Sequence, residues 1–305
     1  MLKHYNQPAS QHRHVRLVKE ATPHSHLPPT ESTVYEGDAS KLLEQMPEGF
    51  FQSCVTSPPY WGLRDYGIAG QIGAEEDPEE YIERLVEVFA RVLRVLRNDG
   101  TLWLNIGDSY TSGNRGYRAP DRKNPVRQMS YRPKTPNGLK EKELVGVPWR
   151  LAFALQKTGW YLRSDIIWEK PNCMPESVKD RPTRSHEYFF LFAKCPRYYY
   201  NGDSIREANG RNRRTVWSIP TEPFNGAHFA TFPPRLIEPC ILAATRQNDW
   251  VLDPFLGSGT VGMICAQQRR NYVGIELNPA YVRIALKRIA SSQLSLFAFG
   301  GYAAR

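Results

Sequence analysis

A run of six residues at positions 56–61, Thr-Ser-Pro-Pro-Tyr-Trp, combines groups that could orient and stack a flat polar substrate. Ser57 offers a side-chain oxygen, and the rigid pair Pro58 and Pro59 holds carbonyl oxygens at fixed positions. Such acceptors can bind both hydrogens of an exocyclic amine, which is a poor nucleophile until its lone pair is aimed at an electrophile. Tyr60 adds a flat face on which a flipped-out base can stack. Taken alone, the run is also compatible with an ordinary turn after a strand.

A second run at positions 253–260, Asp-Pro-Phe-Leu-Gly-Ser-Gly-Thr, follows the apolar residues 250–252. Glycines after a strand let a ligand approach the backbone and let the next helix pack closely. Gly257, Gly259 and Gly262 fit the pattern G-x-G-x-x-G, which is a weak indication of a dinucleotide site by itself. Glu276 ends the next apolar stretch and could accept both ribose hydroxyls of an adenosine. A solvated acid at a strand end is the alternative for that residue.

Both runs follow predicted strands, and the rest of the chain alternates strands with helices. Strands are predicted near residues 33–38, where the strand ends in a turn, and near residues 51–56, 101–106, 160–168, 187–193, 249–252 and 272–275. Helices are predicted at residues 41–46, 78–97, 147–158, 236–244 and 279–290, and from the glycine loop of the second run to about residue 268. This alternation predicts an α/β fold with a mostly parallel twisted sheet and helices on both faces.

The positive charge of the chain is concentrated in one stretch. The formal net charge is +9, and residues 109–142 hold nine basic and two acidic residues. A polyanion is the natural partner of such a stretch, because neutralising phosphates releases condensed counterions. On composition alone a solvated charge run is the alternative. The stretch is predicted to be disordered in the absence of DNA.

Cysteine usage and hydropathy exclude several classes of protein. The five cysteines are scattered and form no Cys-x-x-Cys pair, which argues against a disulfide framework and a structural zinc site. Histidines at 12, 14, 24 and 26 lie in a polar tail, where a disordered leader is favoured over metal binding. No apolar run approaches the roughly 18–20 residues that span a bilayer, and no signal peptide begins the chain. A cytoplasmic, nucleoid-associated protein is therefore expected.

Together the two runs resemble the motifs of the DNA amino-methyltransferases, which act on N4 of cytosine or N6 of adenine. The first run is similar to the catalytic motif of that family and the second to its cofactor motif. Because the catalytic motif comes first, the order resembles the beta class, and the resemblance extends over about residues 34–289. It implies a Rossmann-like methyltransferase fold, circularly permuted, with an inserted target-recognition region. Residues 166–172 and 185–188 resemble further landmarks of the family.

The resemblance implies a role for each matching residue. The catalytic residues would be Ser57, Pro58, Pro59 and Tyr60. The residues that bind S-adenosylmethionine would be Asp38, Thr56, His228, Phe229, Thr231, Phe232, Asp253, Pro254, Phe255, Gly257, Ser258, Gly259, Thr260 and Glu276. No metal is expected.

The same resemblance suggests how the chain is divided. The expected segments are a disordered tail (1–31), a catalytic half (32–108), a basic DNA-contacting loop (109–142), further core (143–171), a target-recognition region (172–225), a cofactor-binding half (226–291) and a C-terminal tail (292–305). The DNA-binding residues would be Arg115, Arg118, Arg122, Lys123, Arg127, Arg132, Arg211, Arg213 and Arg214.

The expected reaction is direct transfer of a methyl group from S-adenosylmethionine to a flipped base in double-stranded DNA, giving S-adenosylhomocysteine. Ser57 favours cytosine N4, because Asp is commoner at that position in enzymes for adenine N6, and adenine remains the alternative. Other partners considered are a cognate restriction endonuclease, a second copy of the chain in a homodimer, and the replication sliding clamp. The clamp is suggested by residues Gln293 to Phe297, which resemble a clamp-docking pentapeptide on a flexible tail. A tail folded back onto its own core is the alternative.

Four other functions compete with this interpretation. A nicotinamide-dependent dehydrogenase would use the glycine pattern but leave Ser57, Tyr60 and the basic stretch without a role. Methylation at cytosine C5 needs a nucleophilic cysteine, and Cys240 after Pro239 lies in an apolar predicted helix, where it is expected in the core. Protein-glutamine methyltransferases carry Asn in place of Ser57 and have the opposite motif order. A DNA-binding protein on an inactive methyltransferase fold would not need Ser57 and Asp253 together.

Overall fold

The computed structural model describes residues 15–19, 29–63, 68, 70–111, 133–222 and 231–300, with the side chains of 294–300 excepted. The strands are β1 (Arg16–Lys19), β2 (Thr33–Glu36), β3 (Phe51–Thr56), β4 (Leu96–Ile106), β5 (Tyr161–Glu169), β6 (His186–Ala193), β7 (Val216–Ser218), β8 (Trp250–Asp253) and β9 (Asn271–Glu276). The helices are α1 (Ala39–Gln45), α2 (Pro78–Val95), α3 (Val147–Lys157), α4 (Pro234–Ala244), α5 (Thr260–Gln267) and α6 (Pro279–Gly300), with a short 3-10 helix at Gly202–Ile205.

The strands form one sheet in the order β1-β2-β9-β8-β3-β4-β6-β5-β7. Neighbouring strands are parallel in the part of the sheet that runs from β1 through β2, β9, β8 and β3 to β4. Strand β6 is antiparallel to both of its neighbours, β4 and β5. Strand β7 then pairs in parallel with β5. The prediction of a mostly parallel α/β sheet is therefore confirmed.

Helices cover both faces of the sheet, and each face has its own apolar core. On one face the buried residues come from α1, α2 and α3 together with the strands. On the other face they come from α4, α5 and α6. Strand β3, at the centre, is buried at every position, as expected for a strand covered on both sides.

Helix α2 shows why the strongly periodic elements were predictable. Asp77 caps it by accepting a hydrogen bond from the backbone N–H of Glu79, and Pro78 occupies its first turn. One face is buried through Tyr81, Leu85, Val88, Phe89 and Val92, at steps of three and four residues. The helix ends at Val95 rather than at residue 97, because β4 begins there and pairs Leu96 with Phe51.

Three short or terminal elements differ from the prediction. Ordered structure does not begin at residue 33: Arg16–Lys19 forms β1, which adds to the open edge of β2, so the tail expected over 1–31 contains a strand. Strand β7 was not predicted, and its three residues are too few to show a period. Helix α6 continues to Gly300 instead of ending near residue 290, because no proline or glycine interrupts it before that point. The pentapeptide at 293–297 therefore lies in a helix, and the prediction of a flexible tail is wrong there.

The base of the basic stretch is closed by hydrogen bonds. Asp108 Oδ1 accepts the backbone N–H groups of Gly146 at 2.9 Å and Val147 at 3.0 Å. The Thr111 hydroxyl donates to the carbonyl of Lys140 at 2.6 Å, and Tyr110 pairs with Leu144 in an isolated β-bridge. Residues on the two sides of the 112–132 segment, which lies outside the described residues, are thus held against each other.

Candidate active site

The two sequence runs meet at one edge of the sheet. Strands β3 and β8 are neighbours and parallel, pairing Cys54 with Leu252, so their carboxyl ends lie side by side. The Thr56 hydroxyl donates a hydrogen bond to Asp253 Oδ1 at 2.7 Å, which joins residues 197 positions apart in the sequence. The edge where a parallel α/β sheet carries its loops is the usual position of a ligand site.

A cavity of about 320 Å³ opens between these loops. The predicted site residues that line it are Asp38, Ser57, Pro58, Pro59, Tyr60, Thr231, Phe232, Pro254, Phe255, Gly257, Ser258, Thr260 and Glu276. His228 and Phe229 lie outside the described residues. Most of the predicted catalytic and cofactor residues are thus brought to one cavity, whereas Thr56 and Asp253 lie next to lining residues in the chain and do not line it themselves.

Asp253 is a buried carboxylate with one unused oxygen. Its Oδ1 accepts hydrogen bonds from Thr56 and, at 3.1 Å, from the backbone N–H of Phe255. Its Oδ2 is buried and has no hydrogen-bond partner among the described residues. Burial, followed by a smaller contribution from Glu276, raises the pKa of Asp253 to about 7. An orphaned buried acceptor of this kind fits the ammonium group of an amino acid moiety.

Glu276 ends β9 and lines the same cavity. Its Oε2 accepts the backbone N–H of Gly257 and its Oε1 that of Asn278, both at 2.8 Å. Each carboxylate oxygen keeps a further lone pair, so the side chain can still accept two hydroxyl groups. Burial raises the pKa of Glu276 to about 7. This arrangement fits the ribose of an adenosine moiety.

Asp38 and Phe255 complete this half of the cavity. Asp38 caps α1 through a 3.0 Å hydrogen bond from the backbone N–H of Lys41. The Phe255 ring packs edge to face with Phe89, with ring centroids 6.5 Å apart. A site with an apolar wall and a few convergent carboxylates is suited to a nucleoside-containing ligand.

The glycines of the second run have different roles. Gly257 has φ +53°, a left-handed conformation, and its N–H is the one bound by Glu276. Gly259, with φ +82°, is not among the residues that line the cavity. A Cβ atom added there would lie 3.0 Å from Ala285 of α6, so this glycine permits close packing of α5 on α6. Its contact with the cofactor stays a prediction beside this packing role.

The first run (residues 56–61, the predicted catalytic run) is fixed by contacts with α2 and with the loop that precedes this helix. The carbonyl oxygen of Pro59 accepts a hydrogen bond from the Tyr81 hydroxyl at 2.8 Å. Gly73 also approaches closely, because an added Cβ would lie 2.9 Å from the carbonyl oxygen of Tyr60. The carbonyl group of Pro59 is therefore engaged in holding the loop, although Pro59 lines the cavity together with Ser57 and Pro58.

Tyr60 lines the cavity with its hydroxyl group held by other side chains. That hydroxyl lies 2.8 Å from Glu187 Oε2, 3.2 Å from Asn105 Oδ1 and 3.5 Å from the Ser57 hydroxyl. A Cβ added to Gly107 would lie 2.7 Å from the Tyr60 ring, so the ring rests against the backbone there. Burial and, secondly, the charge of Glu187 raise the pKa of Tyr60 well above its ordinary value. The phenol therefore stays protonated and acts as a donor.

Glu187 and Lys170 form a half-buried ion pair behind Tyr60. The carboxylate Oε2 also accepts a hydrogen bond from the Asn105 side chain at 3.2 Å. Burial by itself raises the pKa of Glu187, but the charge of Lys170 and the hydrogen bonds of Lys170, Tyr60 and Asn105 hold it below its ordinary value. Sequence reasoning placed Glu187 in a family landmark but assigned it no role.

Other residues that line the cavity were not predicted from the sequence. They include Ile72, Arg84, Glu87, Val88 and Tyr281. Arg84 pairs with Glu75 and donates to the backbone carbonyls of Gln71 and Gly70, so it ties the loop before α2 to that helix. The periodic pattern of α2 identified its buried face but not the positions that reach a ligand.

The predicted DNA-binding residues fall into two groups. Arg115, Arg118, Arg122, Lys123, Arg127 and Arg132 lie outside the described residues. Of the others, Arg211 is exposed, and Arg214 pairs with Glu207 at 3.0 Å. Arg213 lies over the Trp217 ring, 4.4 Å from its centroid, and its buried Nε has no hydrogen-bond partner among the described residues.

Arg213 lines a second cavity, which has a volume of about 380 Å³. Arg206 and Arg235 also line it, opposed by Glu238. Arg235 is exposed in the first turn of α4, only three positions after Phe232, which lines the first cavity. Of the three arginines that line this cavity, Arg235 is therefore close along the chain to the candidate site.

The described part of the chain lacks the features of a membrane-spanning helix and of a metal site. No helix within it has both the length and the apolar character needed to cross a bilayer. Nor do three His, Cys, Asp or Glu side chains gather there in an arrangement that could hold a metal ion. The cysteines in that part are all free, and Cys240, buried within α4, is a core residue as expected.

The fold is shared with solved methyltransferase structures. TTHA0409 from Thermus thermophilus, solved in complex with S-adenosyl-L-methionine, aligns with a TM-score of 0.62 at 26% identity, covering 85% of this chain and 93% of that one. PvuII DNA methyltransferase (cytosine-N4-specific) aligns with a TM-score of 0.64 at 20% identity, covering 86% and 91%. The second likeness concerns the fold alone.

Sequence relatives agree with the structural comparison. Type II methyltransferase M.Cfr9I from Citrobacter freundii is 63% identical over 262 residues, which cover 85% of this chain and 87% of the relative. Type II methyltransferase M.SmaI from Serratia marcescens is 59% identical over 259 residues, covering 83% and 89%. The profile of a family described as DNA methylase matches residues 51–287. This chain therefore belongs to the N6/N4 family of DNA methylases.

Proposed function

We propose that this DNA methylase transfers a methyl group from S-adenosylmethionine to N4 of cytosine in double-stranded DNA. The observation that carries the proposal is the common cavity of the two loops, in which Ser57 and Tyr60 face the residues suited to the cofactor. Ser57, rather than a carboxylate, at the first position of the catalytic run favours cytosine N4 over adenine N6. The order of the loops along the chain supports the circularly permuted, beta-class arrangement.

The cofactor half of the cavity is proposed to bind S-adenosylmethionine through its carboxylates. Asp253 would take the ammonium group through Oδ2, Glu276 the ribose hydroxyls, and Asp38 the adenine amine. Phe255 would lie beside the donor, and Thr231 and Phe232 would close over it. When bound, S-adenosylmethionine supplies a methyl group attached to a positively charged sulfur.

The catalytic half is proposed to orient the target base. The target base flips out of the DNA duplex at a cost of a few kcal/mol, and it then stacks on Tyr60. The Ser57 hydroxyl and the Pro58 carbonyl accept the two hydrogens of its amine and aim the lone pair at the methyl group. The methylated amine is acidic enough to lose its proton to water, so no general base is required. Orientation within a closed cavity supplies most of the rate.

DNA would be held by the basic stretch at 109–142 and by the region 172–225. The unpartnered Nε of Arg213 and the exposed Arg235 in the second cavity fit backbone phosphates, which arginine binds well. We further propose a cognate restriction endonuclease as a functional partner, because the relatives named above are Type II methyltransferases. A homodimer, the sliding clamp and a location at the nucleoid remain proposals that rest on the sequence.

Nucleoside analysis of methylated DNA tests the proposal directly. DNA from a host that expresses the protein is digested and analysed by mass spectrometry, and N4-methylcytosine is expected. N6-methyladenine would instead assign the reaction to adenine, and long-read sequencing of the same DNA gives the recognition sequence.

Two substitutions separate an enzyme from a DNA-binding module. Ser57→Ala and Tyr60→Ala are expected to abolish methylation while leaving retention on DNA unchanged. Glu44→Gln, on an exposed ion pair with Arg91, serves as the matched control. A wild-type protein that binds DNA but transfers no methyl group would contradict the proposed activity.

A further inference from the structure

The ion pair of Glu187 and Lys170 lies against the catalytic run although the proposed transfer does not use it. Each side chain is 17% exposed, and the carboxylate Oε2 is 2.8 Å from the Tyr60 hydroxyl. Lys170 also lies over the Trp168 ring, with its Nζ 4.2 Å from the ring centroid. The pair is thus held on one side by an aromatic ring and touches the catalytic run on the other.

Stability alone gives a weak reason for such a pair. The attraction of two buried charges is largely offset by their loss of hydration, so apolar residues of similar size would serve the fold as well. The contacts of the carboxylate are also directional. Its Oε2 accepts hydrogen bonds from the Tyr60 hydroxyl and the Asn105 amide, and its Oε1 accepts one from the Lys170 ammonium group.

Tyr60 needs an anchor because its ring is the proposed stacking surface. Gly107 leaves room for the ring edge on the sheet side, and a hydrogen bond at the hydroxyl fixes the far end of the ring. A ring held at both positions presents one orientation to an incoming base. Preorganisation of this kind is how side-chain contacts behind a site contribute to rate.

We propose that Glu187 is a positioning residue that holds the Tyr60 hydroxyl and so fixes the ring on which the target base stacks, with Lys170 holding Glu187 in turn. This inference rests on the proposed function. Tyr60 donates to Glu187 and keeps its proton, so the pair orients the ring and moves no proton to or from the base. Asn105, from the neighbouring strand β4, holds the same carboxylate oxygen.

A double-mutant cycle tests whether Glu187 acts through the Tyr60 hydroxyl. Single-turnover methylation is measured for the wild type, Glu187→Ala, Tyr60→Phe and the combined variant. Each single substitution is expected to lower the rate about 10- to 100-fold, as for loss of a hydrogen bond to a charged group. The combined variant is expected to be no slower than Tyr60→Phe, because the contact is already absent.

Binding and stability measurements separate positioning from a general structural effect. The Kd for S-adenosylmethionine of Glu187→Ala is expected to stay close to that of the wild type and of the Glu44→Gln control, whereas its thermal midpoint is expected to fall because Lys170 loses its partner. If Glu187→Ala does not fold, Glu187→Gln combined with Lys170→Met keeps an acceptor for the hydroxyl without an unpaired charge. That variant is expected to stay within about fivefold of the wild-type rate.

Three results would overturn the inference: a wild-type rate in Glu187→Ala, independent effects that multiply in the combined variant, or a loss of rate that follows loss of cofactor binding. A combined Gln and Met variant that is folded but as slow as Tyr60→Phe would also overturn it. Absence of methylation by the wild type in the same assay would instead refute the proposed function.

Discussion

The two sides of the cavity use buried carboxylates in opposite ways. On the cofactor side, burial raises the pKa values of Asp253 and Glu276 to about 7. On the catalytic side, Glu187 is also desolvated, but Lys170 and hydrogen-bond donors hold its pKa below the ordinary value. The difference is whether the protein itself supplies the positive charge.

This contrast indicates what each side is built to do. On the catalytic side, Lys170 already balances the charge of Glu187, so the geometry there is set before substrate arrives. The cofactor side has an excess of negative charge when ionised, with Asp253 Oδ2 unpartnered, and a cationic ligand relieves that excess. Cofactor binding is therefore expected to depend on pH, whereas the arrangement of side chains around Tyr60 is expected to be independent of pH.

Replacing Asp253 should produce the largest change on the cofactor side. Asp253→Asn keeps the size of the side chain but removes the charge that would pair with an ammonium group. The Kd for S-adenosylmethionine at pH 7.5 is expected to rise about 100-fold, as for loss of a strong charge-assisted hydrogen bond. Calorimetric titration measures it, with Glu44→Gln as the control. An unchanged Kd would remove the distinction between the two sides.

The pH dependence of cofactor binding sharpens the contrast. The pKa of Asp253 is raised, so the free protein holds a proton below about pH 7, and a cation favours the ionised form. Affinity for S-adenosylmethionine should therefore increase as the pH rises, by about 25-fold from pH 5.5 to 7.5 for one such group. Titrations at several pH values check this, and the dependence should be weaker in Asp253→Asn. Affinity that falls as the pH rises would contradict it.

A smaller effect is expected from the hydroxyl group that supports Asp253. The 2.7 Å hydrogen bond from Thr56 lowers the pKa of the Asp253 carboxyl group. Thr56→Val keeps the shape of the side chain but removes this hydrogen bond. The pKa of Asp253 should rise further, which weakens cofactor affinity at pH 7 by roughly two- to tenfold. At pH 8.5 the two proteins should bind almost equally. A deficit that is the same at both pH values would show that Thr56 acts through structure instead.

Sequence patterns predicted the sheet, the main helices and the meeting of the two runs, because each rests on a local period or a specific motif. Helix α2 shows a buried stripe over its whole length, and the runs follow apolar strands. Elements of three or four residues, such as β1 and β7, contain too little pattern to be recognised. The end of α6 was missed because the pentapeptide was interpreted as a separate tail.

The contacts behind the site could not be derived from local patterns. Glu187 reaches Tyr60 only because β6 inserts antiparallel between β4 and β5, which brings together residues 127 positions apart. Likewise, a glycine pattern does not reveal that Gly257 presents its N–H to a carboxylate while Gly259 makes room for a helix. Long-range pairing decides these roles, and the sequence does not encode it locally.

The closure formed by Asp108 and Thr111 has a consequence for how such enzymes diversify. Because Tyr110 and Leu144 are bridged, the segment between them enters and leaves the body at nearly one place. Its length and composition can then change without shifting β4 or the catalytic run. An insert mounted in this way can be exchanged as a unit, so the DNA contacts proposed for it can evolve while the chemistry of the core stays constant.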